Sequence, residues 1–426
     1  MAELVRRFPV GAECAGLGGT HFRVWAPSCK KVDVQLQTKG ALEHVVMDAQ
    51  ADGYFAAWAP GVRAGTRYRF RLDGGEAFAD PASRFQPDGP HGPSEVVDPA
   101  AFVWRDQGWK GVSLKGQVLY ELHIGTFTPE GTFAAAEKLL VDLKELGITV
   151  LELMPLAEFN GRFGWGYDGV DLFAPTRLYG RPDDVRHFVD AAHAAGMGVI
   201  LDVVYNHFGP SGNYLARYSP AYTTRKHKNE WGDAINFDGP GSAPVREFFI
   251  SNEGYWIEEY HFDGLRLDAT QCLYDSSEPH VEVEIARRAR AAAGDRSIVL
   301  IGESEPQDSR LVRPEVQGGH GLDALVNDDF HHAAMVAVTG QSTAYYSETR
   351  GTPQELISAC KWGFLYQGQY YSWQKKPRGL PSLDLPAPVF INCLQNHDQV
   401  ANSARGQRLQ ELTSPGRARA VTALLL

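Results

Sequence analysis

Two hydrophobic periods divide the chain near residue 105. Before it, HFRVWAP, KKVDVQLQ and TRYRFRL alternate apolar and polar positions with period two, and the turn signals APSCK, ADG and LDGG separate them. That spacing predicts short strands in a small N-terminal all-β sandwich spanning residues 1–105. After it, apolar runs rich in β-branched residues alternate with stretches of helical period: QVLYELHIGTF, ITVLELMP, VILDVVYNH, HFDGLRLDAT, SIVLIGESE, LDALVND and VFINCLQNHD. Such runs read as parallel strands buried on both faces, and predict an α/β chain of the (β/α)8 TIM barrel type over residues 106–426.

Between the runs, Phe133, Ala136, Leu139, Leu140, Leu143 and Leu146 recur at helical spacing, with Thr132 as N-cap and Gly147 as C-cap. A second helix is predicted over 182–195, closed by Gly196, and a third over 244–260, capped by Ser242 and burying Val245, Phe248, Phe249, Trp256 and Ile257. Residues 80–99 are dense in Pro and Gly and read as an irregular connection. The stretch from about 205 to 243 is a long insertion without helical period whose aromatics, Trp231 among them, argue against disorder.

Polar residues collect where the apolar runs end. Arg266 and Asp268 stand two apart on a strand, hence on one face, and a cation against a carboxylate favours the charged form that a nucleophile needs. A strand with one satisfied structural ion pair shows the same pattern. Three other runs break the tie: they end in Asn206 and His207, in Glu303, and in His397 and Asp398. Catalytic groups of a (β/α)8 barrel come from the C-terminal ends of several strands, so four polar ends suggest one mouth. The loop 159–171, FNGRFGWGYDGVD, adds glycines that allow close backbone approach and aromatic faces suited to a sugar ring.

These residues resemble the α-amylase superfamily of glycoside hydrolases, whose four motif regions match DVVYNH, GLRLDA, the glutamate of IGESE and QNHD in order. The resemblance implies a retaining hydrolase of α-1,4-glucans. Asp268 is then the nucleophile, Glu303 the acid/base, with Glu305 as the alternative, and Asp398 the third carboxylate. It further implies that Tyr167, Asp168, His207, Arg266, His397 and Trp231 bind substrate. Within the superfamily, residues 80–99, 117–132 and 229–242 are similar to the trehalohydrolases. That likeness implies release of trehalose from malto-oligosyltrehalose and a metabolic link to the synthase that makes this substrate. A branching enzyme, or a glucan-binding protein with idle catalytic groups, are the other readings. The resemblance also leads one to expect an eighth strand and a C-terminal β-domain; RARAVTALLL instead breaks off inside a helical pattern, so the sequence reads as C-terminally incomplete.

Charge and composition narrow the partners. A net charge of -11 argues against nucleic acid and anionic membranes. The start, MAELVRRFPVGAE, lacks the apolar core of a secretion signal, and no run is long enough to span a membrane, so the expected location is cytoplasmic. The five cysteines are scattered and read as buried free thiols; His331 and His332, beside Asp328 and Asp329, read as surface residues rather than a metal site. Neither a metal nor a cofactor is expected.

Overall fold

The computed structural model describes residues 6–15, 18–38 and 41–426. The first five residues, part of the stretch read as lacking a signal, lie outside them. The period-two segments form two antiparallel sheets. One runs Gly11–Ala15, Gly19–Trp25, Tyr54–Pro60, Asp48–Ala49; the other runs Ala41–Val46, Val32–Thr38, Arg67–Leu72, Ala77–Phe78, with Ser94–Glu95 also on Arg67–Leu72. Their alternate residues bury Phe22, Val24, Val34, Tyr68 and Phe70, with the Phe22 and Tyr68 rings edge to face at 4.9 Å.

The described chain divides into two units, the first taking in the residues up to Val112, Leu119–Asp268 and Cys272–Ile298. In it, strands β1 (Leu119–Leu122), β2 (Val150–Leu153), β3 (Gly198–Val203) and β4 (Gly264–Leu267) pair in that order, all parallel. Helix α1 (Pro182–Ala194) lies between β2 and β3 in sequence, as its proline start and Gly196 stop predict. Helix α2 (Ser242–Glu259) precedes β4 and buries the five apolar residues expected of it. Its cap differs from expectation. The N-cap is Gly241 at φ 74, and Ser242 is already helical, because the Gly239–Gly241 turn is closed by Asn236 Oδ1 accepting from the Gly239 N–H at 2.9 Å. The stretch after Thr132 is helical but broken at Leu139 (φ -98, ψ 0). Thr132 Oγ1 does accept from the Ala135 N–H, at 3.3 Å.

The proline-rich segment 80–99 is no exposed connector: Asp80, Ser83 and Gln86 are fully buried. Its start is held by Tyr218, whose hydroxyl donates to the carbonyl of the preceding Ala79 at 2.7 Å. It is also tied by Arg84, which shares the Glu259 carboxylate at the end of α2 with Arg186 of α1 and with Arg7 at 3.4, 3.1 and 3.0 Å. Arg84, Arg186 and Glu259 are all buried. Removing one partner of such a group leaves uncompensated charge, so Glu259→Ala is expected to cost about 3–5 kcal/mol of stability. Denaturant unfolding checks this; a loss under about 1 kcal/mol would mean that solvent reaches the arginines.

The second unit holds Ser113–Val118, Ala269–Gln271 and Val299–Leu426. Strands β5 (Val299–Gly302), β6 (Ala324–Asn327) and β7 (Phe390–Asn392) pair in that order, again parallel. Helix α3 (Asp328–Thr339) follows β6 directly. The run ending in QNHD differs from expectation: the strand stops at Asn392, and His397 and Asp398 open a short helix, α4 (His397–Ala401), capped by Asn396. The α/β reading with an N-terminal all-β module therefore describes the chain.

Candidate active site

Each unit carries its own group of site residues. In the first, β3 and β4 place Asp202 directly beside Arg266 in the parallel register. Arg266 Nη1 donates to both Asp202 oxygens at 2.9 Å and to Asp268 Oδ1 at 2.8 Å. The other Asp268 oxygen accepts from Asn206 Nδ2 at 2.9 Å. With a donor on each oxygen, the carboxylate is fixed just past the end of β4. Tyr167 donates its hydroxyl to Asp202 Oδ2 at 2.6 Å. Burial first, then the Asp202 charge, hold its phenol well above its ordinary range, so it stays a neutral donor.

His207 faces Asn206 Oδ1 with one ring nitrogen and the Tyr167 carbonyl oxygen with the other, the latter at 2.9 Å. Burial lowers its pKa against the opposing pull of Asp268. Trp231 sits at the turn of a hairpin, Thr223–Asn229 and Gly232–Ile235, and stacks on His207 at 5.3 Å and 22° with half of its surface free. Asn229 of the same hairpin donates to the Asn206 carbonyl at 2.9 Å. The long insertion is thus ordered around the β3 end. Asp168 follows Tyr167, is exposed, and its carboxylate makes no hydrogen bond among the described residues.

In the second unit, Glu303 follows β5. Its Oε2 accepts from the Ala269 N–H at 3.0 Å, and its carbonyl accepts from the Thr270 N–H at 2.9 Å. Ala269 is the residue after Asp268 in the chain. A cleft of about 290 Å³ is lined by Glu303, Glu305, Asp328, His332, Arg378 and Asp398, among others. Arg378 ion-pairs with Asp329 at 3.3 Å and donates to the Glu305 carbonyl at 3.2 Å. His397 is buried, its Nε2 3.6 Å from Asp398 Oδ1.

His331 and His332 are not surface residues: both are buried on α3, which is covered on more than one side. His331 is satisfied by the Leu394 carbonyl and the Tyr346 hydroxyl, the latter at 2.7 Å. His332 lines the cleft, and burial holds it neutral. The five cysteines form no disulfide among the described residues and are half-buried rather than buried. Sequence reasoning passed over Asp202 and Arg378, and read Asp328 and His332 as surface residues with no part in the site. A signal existed for Asp202, which is a lone charge inside an apolar run, as Arg266 is in the next strand.

Strand-end carboxylates, a carboxylate-bound tyrosine and an aromatic hairpin over a β-sandwich-bearing α/β chain define a protein of the α-amylase class. The sequence matches the Alpha amylase, catalytic domain family over residues 131–239 and Carbohydrate-binding module 48 (Isoamylase N-terminal domain) over residues 9–101. The malto-oligosyltrehalose trehalohydrolase of Deinococcus radiodurans is 44% identical over 398 residues, which are 93% of this chain and 64% of the relative. That of Saccharolobus solfataricus is 43% identical over 394 residues, 92% of this chain and 68% of the relative. The chain belongs to the malto-oligosyltrehalose trehalohydrolase family, and spans about two thirds of the length of these relatives. A 1,4-alpha-glucan branching enzyme of Kitasatospora aureofaciens is 36% identical over 360 residues, 76% of this chain and 47% of the relative. Among solved structures, one described as an alpha amylase from Salmonella typhimurium superposes with a TM-score of 0.92 at 44% identity, covering 98% of this chain and 71% of that one. Pullulanase type I from Bacillus subtilis shares the fold at a TM-score of 0.70 and 20% identity, over 92% of this chain and 59% of that one. No helix of the described residues is long and apolar enough to cross a membrane.

Proposed function

We propose that the protein is a retaining glycoside hydrolase that cuts the α-1,4 bond joining a malto-oligosaccharide to its terminal trehalose. Asp268 attacks the anomeric carbon and the bond to the leaving oxygen breaks as Glu303 gives that oxygen its proton. Water then attacks the glycosyl-enzyme ester, loses its proton to Glu303 and frees Asp268. The observation that carries the chemistry is the Asp268 carboxylate, oriented by Arg266 on one oxygen and Asn206 on the other. Glu303 is favoured over Glu305 as the acid because the Ala269 N–H fixes its side chain, whereas the Glu305 carboxylate has no hydrogen bond among the described residues. Asp398 holds sugar hydroxyls of the distorted ring, with His397 and His207 as further hydroxyl partners. Tyr167 and Trp231 offer ring faces to the sugar, and the exposed Asp168 offers a carboxylate.

The identity to trehalohydrolases supports the substrate. Such a substrate needs an enzyme that builds an α,α-1,1 link at the reducing end of a malto-oligosaccharide, which is the synthase link, and the reading implies a cytoplasmic location. The boundary between module and catalytic part falls near residue 105. Branching activity is the second reading, on the strength of the 36% identity to a branching enzyme. Proton NMR of a digest tests the mechanism: the malto-oligosaccharide released first should carry a new α-anomeric reducing end. A β-anomer would mean inversion and a different role for Asp268.

A further inference from the structure

Besides Glu305, the cleft of the second unit contains one carboxyl to which the mechanism above gives no task, that of Asp328. Asp328 is the first residue of α3, and its backbone is held firmly. The side chain of Asn327 caps the helix by accepting from the Phe330 N–H at 3.3 Å, and its amide donates to Asn392 Oδ1 on β7 at 2.8 Å. The next residue, Asp329, turns inward, accepts from the Leu365 N–H at 2.7 Å and takes the ion pair with Arg378. Arg378, the cation whose charge acts on Asp328, is therefore already engaged. Arg378 also lies over the Tyr371 ring, 4.9 Å from its centroid.

The Asp328 carboxyl, half-buried on the cleft wall with Glu303 and Asp398, makes no hydrogen bond or ion pair among the described residues. At a helix N-terminus a carboxyl is ordinarily stabilised in its charged form. Here burial, reinforced by the charges of Glu303, Asp329 and Asp398 against the single opposing pull of Arg378, raises its pKa to about 7. The other groups facing it do not reverse this. His332 on the same helix is kept neutral by burial, and the 340–385 segment contributes Arg378 and the phenols of Tyr345 and Tyr371. A charge on Asp328, beside the carboxyls of Glu303, Glu305 and Asp398, would meet only Arg378, which is already paired with Asp329, and the substrate is neutral. A carboxylic acid, unlike a carboxylate, both donates to and accepts from a sugar hydroxyl.

We propose that Asp328 is a substrate-binding residue that works as a neutral carboxylic acid, donating its O–H to a hydroxyl oxygen of the sugar bound in this cleft. The inference rests on the reading of the cleft as part of the glucan site.

Wild type, Asp328→Asn and Asp328→Ala should be compared on maltotriosyl-trehalose from pH 5.5 to 8.5, with binding read separately by calorimetry in the Glu303→Gln background. In the wild type KM rises as pH climbs through about 7, because the acid ionises and its donor is lost. Asp328→Asn keeps a donor of the same shape with no proton to lose, so its KM is flat over this range and its kcat/KM at the lower end stays within about tenfold of wild type. Asp328→Ala raises KM and the dissociation constant about tenfold to a hundredfold, with less effect on kcat. The inference is overturned if Asp328→Asn is as damaged as Asp328→Ala, since the charge would then be what matters. It is equally overturned if Asp328→Ala binds and hydrolyses like wild type. Absent hydrolysis with Asp328-dependent binding intact would fault the hydrolase reading and leave this one standing.

Discussion

Asp268→Asn and Glu303→Gln are each expected to lower kcat by about a thousandfold or more with the fold intact, because each removes a group used in both half-reactions. The two losses differ in kind. Asp268→Asn removes the nucleophile and also places an amide where Arg266 and Asn206 both present donors, so one donor loses its partner. A small drop in stability, about 1–3 kcal/mol, should accompany the loss of turnover. Glu303→Gln can keep an oxygen toward the Ala269 N–H, and its melting temperature should hold. What it loses is the proton. A substrate whose leaving group needs none, such as an α-glycosyl fluoride, should therefore recover the first step in Glu303→Gln and not in Asp268→Asn. If Glu305→Gln were the inactive variant and Glu303→Gln nearly wild type, the acid would be Glu305.

Much of the fold was legible because it rests on local periodicity. The period-two segments are strands, the apolar runs are parallel strands, and Arg266 on one of them does meet Asp268, two positions on and just past its end. What stayed hidden depends on register and on packing between segments distant in sequence. Asp202 reads as an oddity in an apolar run until β3 and β4 are aligned, when it lies beside Arg266, a residue 64 positions on. His331 and His332 look like surface residues because burial of α3 depends on what folds over it, including Tyr346 and Leu394. Asp398 is carried by a capping box at Asn396 rather than by a strand end, a distinction that hydropathy does not register. The 80–99 segment has the composition of a connector and its Asp80, Ser83 and Gln86 are buried, with Tyr218 holding the Ala79 carbonyl just before it and Glu259 supplying a partner for Arg84.

Selectivity for a trehalose end is the second large effect. A site built for the hydroxyls of the α,α-1,1-linked disaccharide leaves its own polar groups unpaired when maltose occupies the same place, and that mismatch is worth about a hundredfold or more in kcat/KM. An amylase without such groups would show no preference, and a branching enzyme would pass the glycosyl group to a sugar hydroxyl rather than to water. Chromatography of digests of maltotriosyl-trehalose and maltopentaose, run side by side, separates these cases. Trehalose should be a main product of the first, with maltopentaose cut about a hundredfold more slowly. Equal rates on the two substrates, or new α-1,6 branches when amylose is supplied, would contradict the account.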